Sequence, residues 1–312
     1  MKKYLIFGLL IVMSQAGFSQ EENFLEEDLK INTVIEGTLT VPRNKEAESI
    51  VIFIQGSGPT DRNGNQSMAK NDGIQKMARK LAVNGIASYR FDKRIFKIQE
   101  LKTKEEDLRF EDFSKDVENI LKYFKEHDKF DNLIIAGHGE GSLVGMLAAK
   151  ETVDAFISLA GAGEPIDSII VDQVNKMAPQ LGENARVAFD EIREEGKTTN
   201  YNPMLESIFK PSVQPYMYSW MQYDPSQEIK KLDIPVLIIN GSEDIQVEVD
   251  QAEMLKSGNQ DAKLVIIENM NHIFREIASK DRLVNTKSYN EPGLPLHPEL
   301  IPVITEFIKE LE

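Results

Sequence analysis

The sequence predicts an α/β fold, a mostly parallel doubly wound sheet with helices on both faces and a helical insertion between two of its strands. Three observations carry this. Short continuous apolar runs, such as Ile50 to Ile54 and Leu133 to Ala136, have the character of strands buried on both faces. Such runs alternate with segments of helical periodicity, and each parallel strand pair requires a crossover of that kind. The turns that follow several of these runs hold the residue types that perform chemistry, at the sheet edge where open α/β folds carry their sites.

The chain has 312 residues, a length that fits one large α/β domain or two ordinary ones, and its 41% apolar content allows a sizeable core. Its formal charge of −15 and isoelectric point near 4.9 argue against nucleic acid and anionic membrane as partners, because both attract basic patches. With no cysteine, the chain forms neither disulfides nor thiolate metal sites. Residues 1–19 read as a signal peptide: Lys2 and Lys3, an apolar run from Tyr4 to Met13, then the small residues Ala16, Gly17 and Ser19. The apolar run is about half of the roughly twenty residues a bilayer span requires, so cleavage and export to a periplasm or the medium are expected, with no stable membrane insertion afterwards.

Residues 20–30 are acidic and unpatterned and are expected to form a mobile leader to a domain over 20–312. Ile31 to Val41 roughly alternates and predicts half-buried antiparallel strands ending at Pro42. Ile50 to Ile54 is the first fully buried parallel strand. A helix follows through Ile74, Met77, Leu81 and Ala82, closed by Gly85, then a strand over Ile86 to Phe91. The mixed charges of Asp92 to Asp107 read as a solvated surface excursion. Phe110, Phe113, Val117, Ile120, Leu121 and Phe124 share one face of a long helix. Next come the strand ending at Ala136, a helix over 141–150 and a strand from Ala155 to Leu159. Between about 163 and 223 no convincing strand occurs, and helical patches are separated by Gly, Pro and Asn. This stretch is expected to be a helical cap, with Trp220 contacting substrate. The sheet resumes at Pro235 to Asn240 and Leu264 to Ile267, with helices over Val249 to Ser257 and Pro298 to Leu311.

The chemistry converges on three turns. Gly137-His138-Gly139-Glu140-Gly141 joins a strand to a helix in the manner of a G-x-S-x-G nucleophile elbow, with Gly139 at the position of the serine. Asp244 follows one later strand and His272 another, 28 residues further on. In that order a histidine serves as general base and acid while the carboxylate sets its tautomer. Glu243 is the fallback acid. His127 and His297 are expected at the surface, and His138 in packing. The loop Gln55 to Asn65 follows the first buried strand, and the N–H groups of Ser57 and Glu140 form a natural oxyanion pair. Gly56, Gly58, Asp61 and Arg62 are expected on the substrate side, although Asp61 and Arg62 could instead pair with each other as a loop clamp. Neither a P-loop nor a complete dinucleotide fingerprint is present, so no cofactor is expected, and no His pair at helical spacing suggests a metal.

On these motifs the chain resembles the α/β-hydrolase-fold serine hydrolases, in particular secreted bacterial carboxylesterases. Their first loop reads H-G-S-G-P-T-D-R-D-G-N, their elbow G-H-S-E-G-S, and their acid follows G-x-x-D. The likeness runs from about Ile50 to the last helix and includes Phe209 to Tyr216 and Tyr289-Asn290-Glu291-Pro292. It implies Ser-His-Asp acyl-enzyme hydrolysis of a small acyl ester or amide. Two positions depart from the pattern: Gln55 stands for His, and Gly139 for the nucleophilic Ser. Three activities stay open at this point: a strongly impaired esterase, a peptidase or amidase on the same scaffold, and a non-catalytic binder of an acyl ligand. The helix position of Ser142 points it away from His272.

Overall fold

The computed structural model describes residues 23–149 and 153–311. The expected signal peptide lies outside the described residues.

Eight strands form one sheet in the order β1-β2-β4-β3-β5-β6-β7-β8. They are β1 Phe24–Lys30, β2 Glu36–Pro42, β3 Ser49–Ile54, β4 Ala87–Phe91, β5 Asn132–His138, β6 Ala155–Leu159, β7 Val236–Gly241 and β8 Lys263–Ile267. From β4 to β8 every neighbouring pair is parallel, and β1 and β2 add an antiparallel edge. The period-2 pleat of β3 sorts its side chains between two cores. Ile50, Ile52 and Ile54 pack with the apolar stripes of α2 Phe110–His127, α3 Glu140–Ala148 and α9 Val249–Gly258. Val51 and Phe53 face α1 Gly73–Val83 and α11 Leu300–Lys309 on the other side. Both faces are thereby covered, as the continuous apolar runs require.

Between β6 and β7 stand α4 Ile166–Met177, α5 Pro179–Glu195, α6 Glu206–Phe209, α7 Gln214–Trp220 and α8 Pro225–Ile229. The first three, with Leu205 and Met221, carry a core of their own, centred on Phe189, Ile192 and Phe209, while Met217 and Trp220 of α7 join the core on the sheet. At its base Trp220 stacks flat on Phe110 of α2, ring centroids 5.1 Å apart, and Ser219 Oγ accepts the first N–H of that helix. The insertion is tied to the body through these aromatic and hydrogen-bond contacts.

Three elements differ from the sequence expectation. Phe24–Lys30 is an edge strand and not a mobile leader: Phe24, Glu26 and Leu29 are its half-buried positions, and Glu26 bonds Arg79 and Arg90. Its inward group is a carboxylate whose cations lie far away in sequence, so no apolar alternation betrays it. The Asp92–Asp107 excursion is not uniformly solvated, because Lys93 is buried and Arg94 makes a paired contact with Asp116. A short helix, α10 Arg282–Ser288, follows the His272 loop where none was expected.

Candidate active site

The elbow between β5 and α3 is built by close approach. A Cβ on Gly141 would overlap Ile54 O and stand 2.7 Å from Gln55 O, and one on Gly137 would overlap the backbone of Gly141. Only glycine lets the helix start this near the sheet. Gly139 sits at the tip with φ 53° and ψ −117°, a conformation that L side chains rarely adopt. Its N–H donates to Leu159 O at 3.0 Å, which fixes the tip against β6. Space at the tip is ample, since a Cβ on Gly139 would meet nothing closer than His272 Nε2 at 3.6 Å.

Asp244 is held in the turn after β7. One of its carboxylate oxygens accepts the N–H groups of Gln246 and Val247, and the other accepts Nδ1–H of His272 at 2.8 Å. A carboxylate is acceptor only, so the proton resides on Nδ1 and the lone pair on Nε2, toward Gly139. Glu243, the fallback acid, makes no bond to His272; its carbonyl accepts Asn285 Nδ2 of α10 instead. That helix also braces the histidine loop, because Asn271 Nδ2 donates to Asn285 Oδ1 and Ser288 Oγ. Sequence periodicity carries no signal for this brace.

His138 does more than fill space. Its ring lies 4.6 Å from that of His272, and its Nε2 donates to the His272 carbonyl at 3.0 Å. Burial, with the neighbouring His272 adding to it, holds the His138 imidazole well below the usual histidine range, so the ring is neutral at ordinary pH.

Lys93 was not anticipated. Its Nζ donates to Gly56 O at 2.9 Å and to Glu140 Oε1 at 2.7 Å, joining the Ser57 loop to the elbow. Tyr216 of α7 faces the same carboxylate, and burial together with Glu140 pushes its phenol far up. The signal for Lys93 was its place directly after β4, at the same sheet edge as the other site loops.

A cleft of about 480 Å³ opens over these groups. Gly56, Ser57, His138, Gly139, Glu140 and His272 form its floor, and Ile166, Ile169, Ile170, Met217 and Trp220 of the insertion form an apolar wall. Gln66, Asn71 and Tyr289 also line it. Gly58, Asp61 and Arg62 are not among the lining residues, which corrects the expectation for them. Asp61 accepts the N–H groups of Asn63 and Asn65 and shapes its own loop. Arg62 does not pair with Asp61; it binds Asp92 at 2.6 Å and Asp28 at 3.2 Å, fastening the loop to the antiparallel edge. Gly58 has φ 71° and serves the turn. Gln55 Nε2 donates to Phe91 O, a contact within the loop base. Ser142 bonds Ser158 Oγ at 2.8 Å beneath the elbow, and His297 is buried rather than at the surface, its N–H bonded to Phe274 O.

A family profile described as serine aminopeptidase, S33, matches residues 70–276. The chain is 27% identical over 268 residues to Esterase EstD of Thermotoga maritima, which covers 81% of this chain and 60% of that protein. The chain thus spans less than two thirds of that relative's length. Among solved structures, Est1E from Butyrivibrio proteoclasticus superposes with a TM-score of 0.57 at 17% identity, covering 92% of this chain and 98% of that one. An acylaminoacyl peptidase of Pyrococcus horikoshii gives 0.56 at 16% identity, covering 94% and 42%. The esterase Pf2001 of Pyrococcus furiosus gives 0.54 at 13%, covering 92% and 91%. These structural likenesses concern the fold.

Proposed function

The chain belongs to the serine aminopeptidase S33 family and has the fold of the α/β hydrolases, and from that premise we propose that its site is a carboxylic ester hydrolase site whose nucleophile position is held by Gly139. The observation that carries this is the aim of His272 Nε2, 3.6 Å from where a Cβ of residue 139 would stand, with Asp244 behind the ring. In the active form of such a site a serine at 139 attacks the acyl carbon and His272 takes its proton. Ser57 and Glu140 N–H groups receive the oxyanion, and the acyl-enzyme is then hydrolysed. Without the serine, that route falls by about a million-fold, or about 8 kcal/mol of barrier.

The substrate class is a small acyl ester. The apolar wall from the inserted helices, which act as a cap over the acyl group, supports this, as does the description of the curated relative as an esterase. The apolar run flanked by Lys2 and Lys3 supports export with cleavage before Gln20, which N-terminal sequencing of the exported protein checks.

The deciding experiment is Gly139→Ser assayed on p-nitrophenyl butyrate and on the matching anilide. A gain of several orders of magnitude on the ester supports the reading. Preference for the anilide would favour an amidase. No gain in a folded variant, together with calorimetric binding of butyrate, would favour an acyl-ligand binder.

A further inference from the structure

Resting on that reading of the site, we propose that the protein as it stands hydrolyses carboxylic esters by a direct route, in which water is the nucleophile and the His272–Asp244 pair is its general base. The replaced serine removes the acyl-enzyme step but leaves every other part of the machinery aimed at one point.

Several observations carry this together. Asp244 holds the His272 proton on Nδ1, so the Nε2 lone pair faces the cleft floor. Among the described residues nothing hydrogen-bonds that nitrogen. The nearest heavy atoms to a Cβ on Gly139 would be His272 Nε2 at 3.6 Å, His272 Cε1 at 3.7 Å and Gly56 Cα at 3.9 Å. Glycine therefore leaves the room of a whole hydroxymethyl group between the base and the oxyanion loop, comparable to the ~30 Å³ that one water occupies in the liquid. The elbow keeps its strained tip, with φ 53° and ψ −117°, and Glu140, whose N–H opens the helix, lines the same cleft as Gly139 and His272. Lys93 ties the Gly56 carbonyl to the Glu140 side chain and holds the two oxyanion donors in register. His138 fixes the backbone of His272 by its bond to the carbonyl.

The step balances without any further reactant. The oxygen of the water attacks the acyl carbon, and one of its protons passes to His272 Nε2. The carbonyl oxygen becomes an oxyanion held by the Ser57 and Glu140 N–H groups. Collapse breaks the bond to the alkoxy group, which leaves with the proton from the imidazolium. The products are the acid and the alcohol, and the imidazole is regenerated. A positioned general base contributes about 10²- to 10⁴-fold. The native chain is therefore slow beside Gly139→Ser, whose nucleophile contributes about a million-fold, yet faster than solvent.

The test uses the full native chain and phenyl butyrate. Expected are linear turnover without a burst, slower turnover in D₂O, and no acyl adduct in the intact mass. His272→Gln and Asp244→Asn each lower kcat/KM by about 10²-fold. Gly139→Ala also lowers it, since its methyl group takes up the room the water needs, while Ser142→Ala leaves it unchanged. Turnover unaffected by both His272→Gln and Asp244→Asn overturns the proposal. So does an acyl group on the His272 ring, which would make histidine the nucleophile. If Gly139→Ser is highly active while the native chain shows no His272-dependent turnover, the direct route fails and the esterase reading stands. If Gly139→Ser gains nothing, the esterase reading fails first.

Discussion

Lys93 and Glu140 form an ion pair of 2.7 Å with side chains only 5% and 2% exposed. The lysine follows β4 and the glutamate opens α3, so the pair bridges two crossovers of the sheet directly beneath the elbow. Its ammonium also holds the Gly56 carbonyl, and Phe113 lies under it at 5.1 Å. Removing one partner leaves the other charge buried without compensation. Lys93→Met is expected to lower stability by about 3–5 kcal/mol, with Lys93→Met/Glu140→Gln recovering part of it. Urea denaturation measures both; a single-variant loss below about 1 kcal/mol would show the pair to be unimportant.

The two kinds of glycine in the elbow are expected to lose stability for different reasons and to different extents, Gly141 the more. Gly141→Ala drives a methyl into the Ile54 and Gln55 carbonyls, backbone that cannot move aside, and should cost more than about 2 kcal/mol. Gly139→Ala has open space and carries only the strain of its positive φ, about 1–3 kcal/mol. Thermal melts of the two variants side by side decide the matter, and equal losses would refute the packing argument.

Asp244→Asn in the Gly139→Ser background tests the orienting role of the carboxylate. An amide can present an N–H to His272 Nδ1 and favour the wrong tautomer, so kcat is expected to fall by about 10⁴-fold with little change in KM. Glu243→Gln should leave kcat close to the parent, because Glu243 does not reach the histidine. A reversal of these two outcomes assigns the acid to Glu243.

His138 makes stability depend on pH. Burial keeps its folded-state imidazole well below 6.5, so between those two values the unfolded chain binds a proton that the folded chain does not. Stability from this group is full above about 6.5 and is lost as pH falls, by up to about 1.4 kcal/mol per unit. Urea midpoints of the native chain and His138→Gln between pH 7.5 and about 5.5 should converge as pH falls. Parallel curves would mean that the imidazole protonates freely in the fold.

Much of the architecture was legible because it follows from short-range rules. Two-sided burial makes β3 and β5 continuously apolar, and helical spacing announces α1, α2 and α11. Strand β1 was illegible because its inward group is Glu26, whose partners Arg79 and Arg90 lie on later elements. At the site, the expected Asp244 to His272 bond formed because both residues directly follow neighbouring parallel strands. Asp61 and Arg62 misled because loop residues beside a site look alike whether they face substrate or, as here, brace the loop from behind.

The sequence by itself determined the fold class, the glycine-built elbow and the order of elbow, acid and histidine, since each is encoded by residue type and spacing along one stretch of chain. Only the tertiary structure decided that Lys93 ties the Gly56 carbonyl to the Glu140 side chain, that His138 and α10 steady the histidine, and that His272 Nε2 faces open room at Gly139. Those relationships join residues from distant stretches through the stacking of parallel strands. Their energies depend on burial and distance, which no local pattern records.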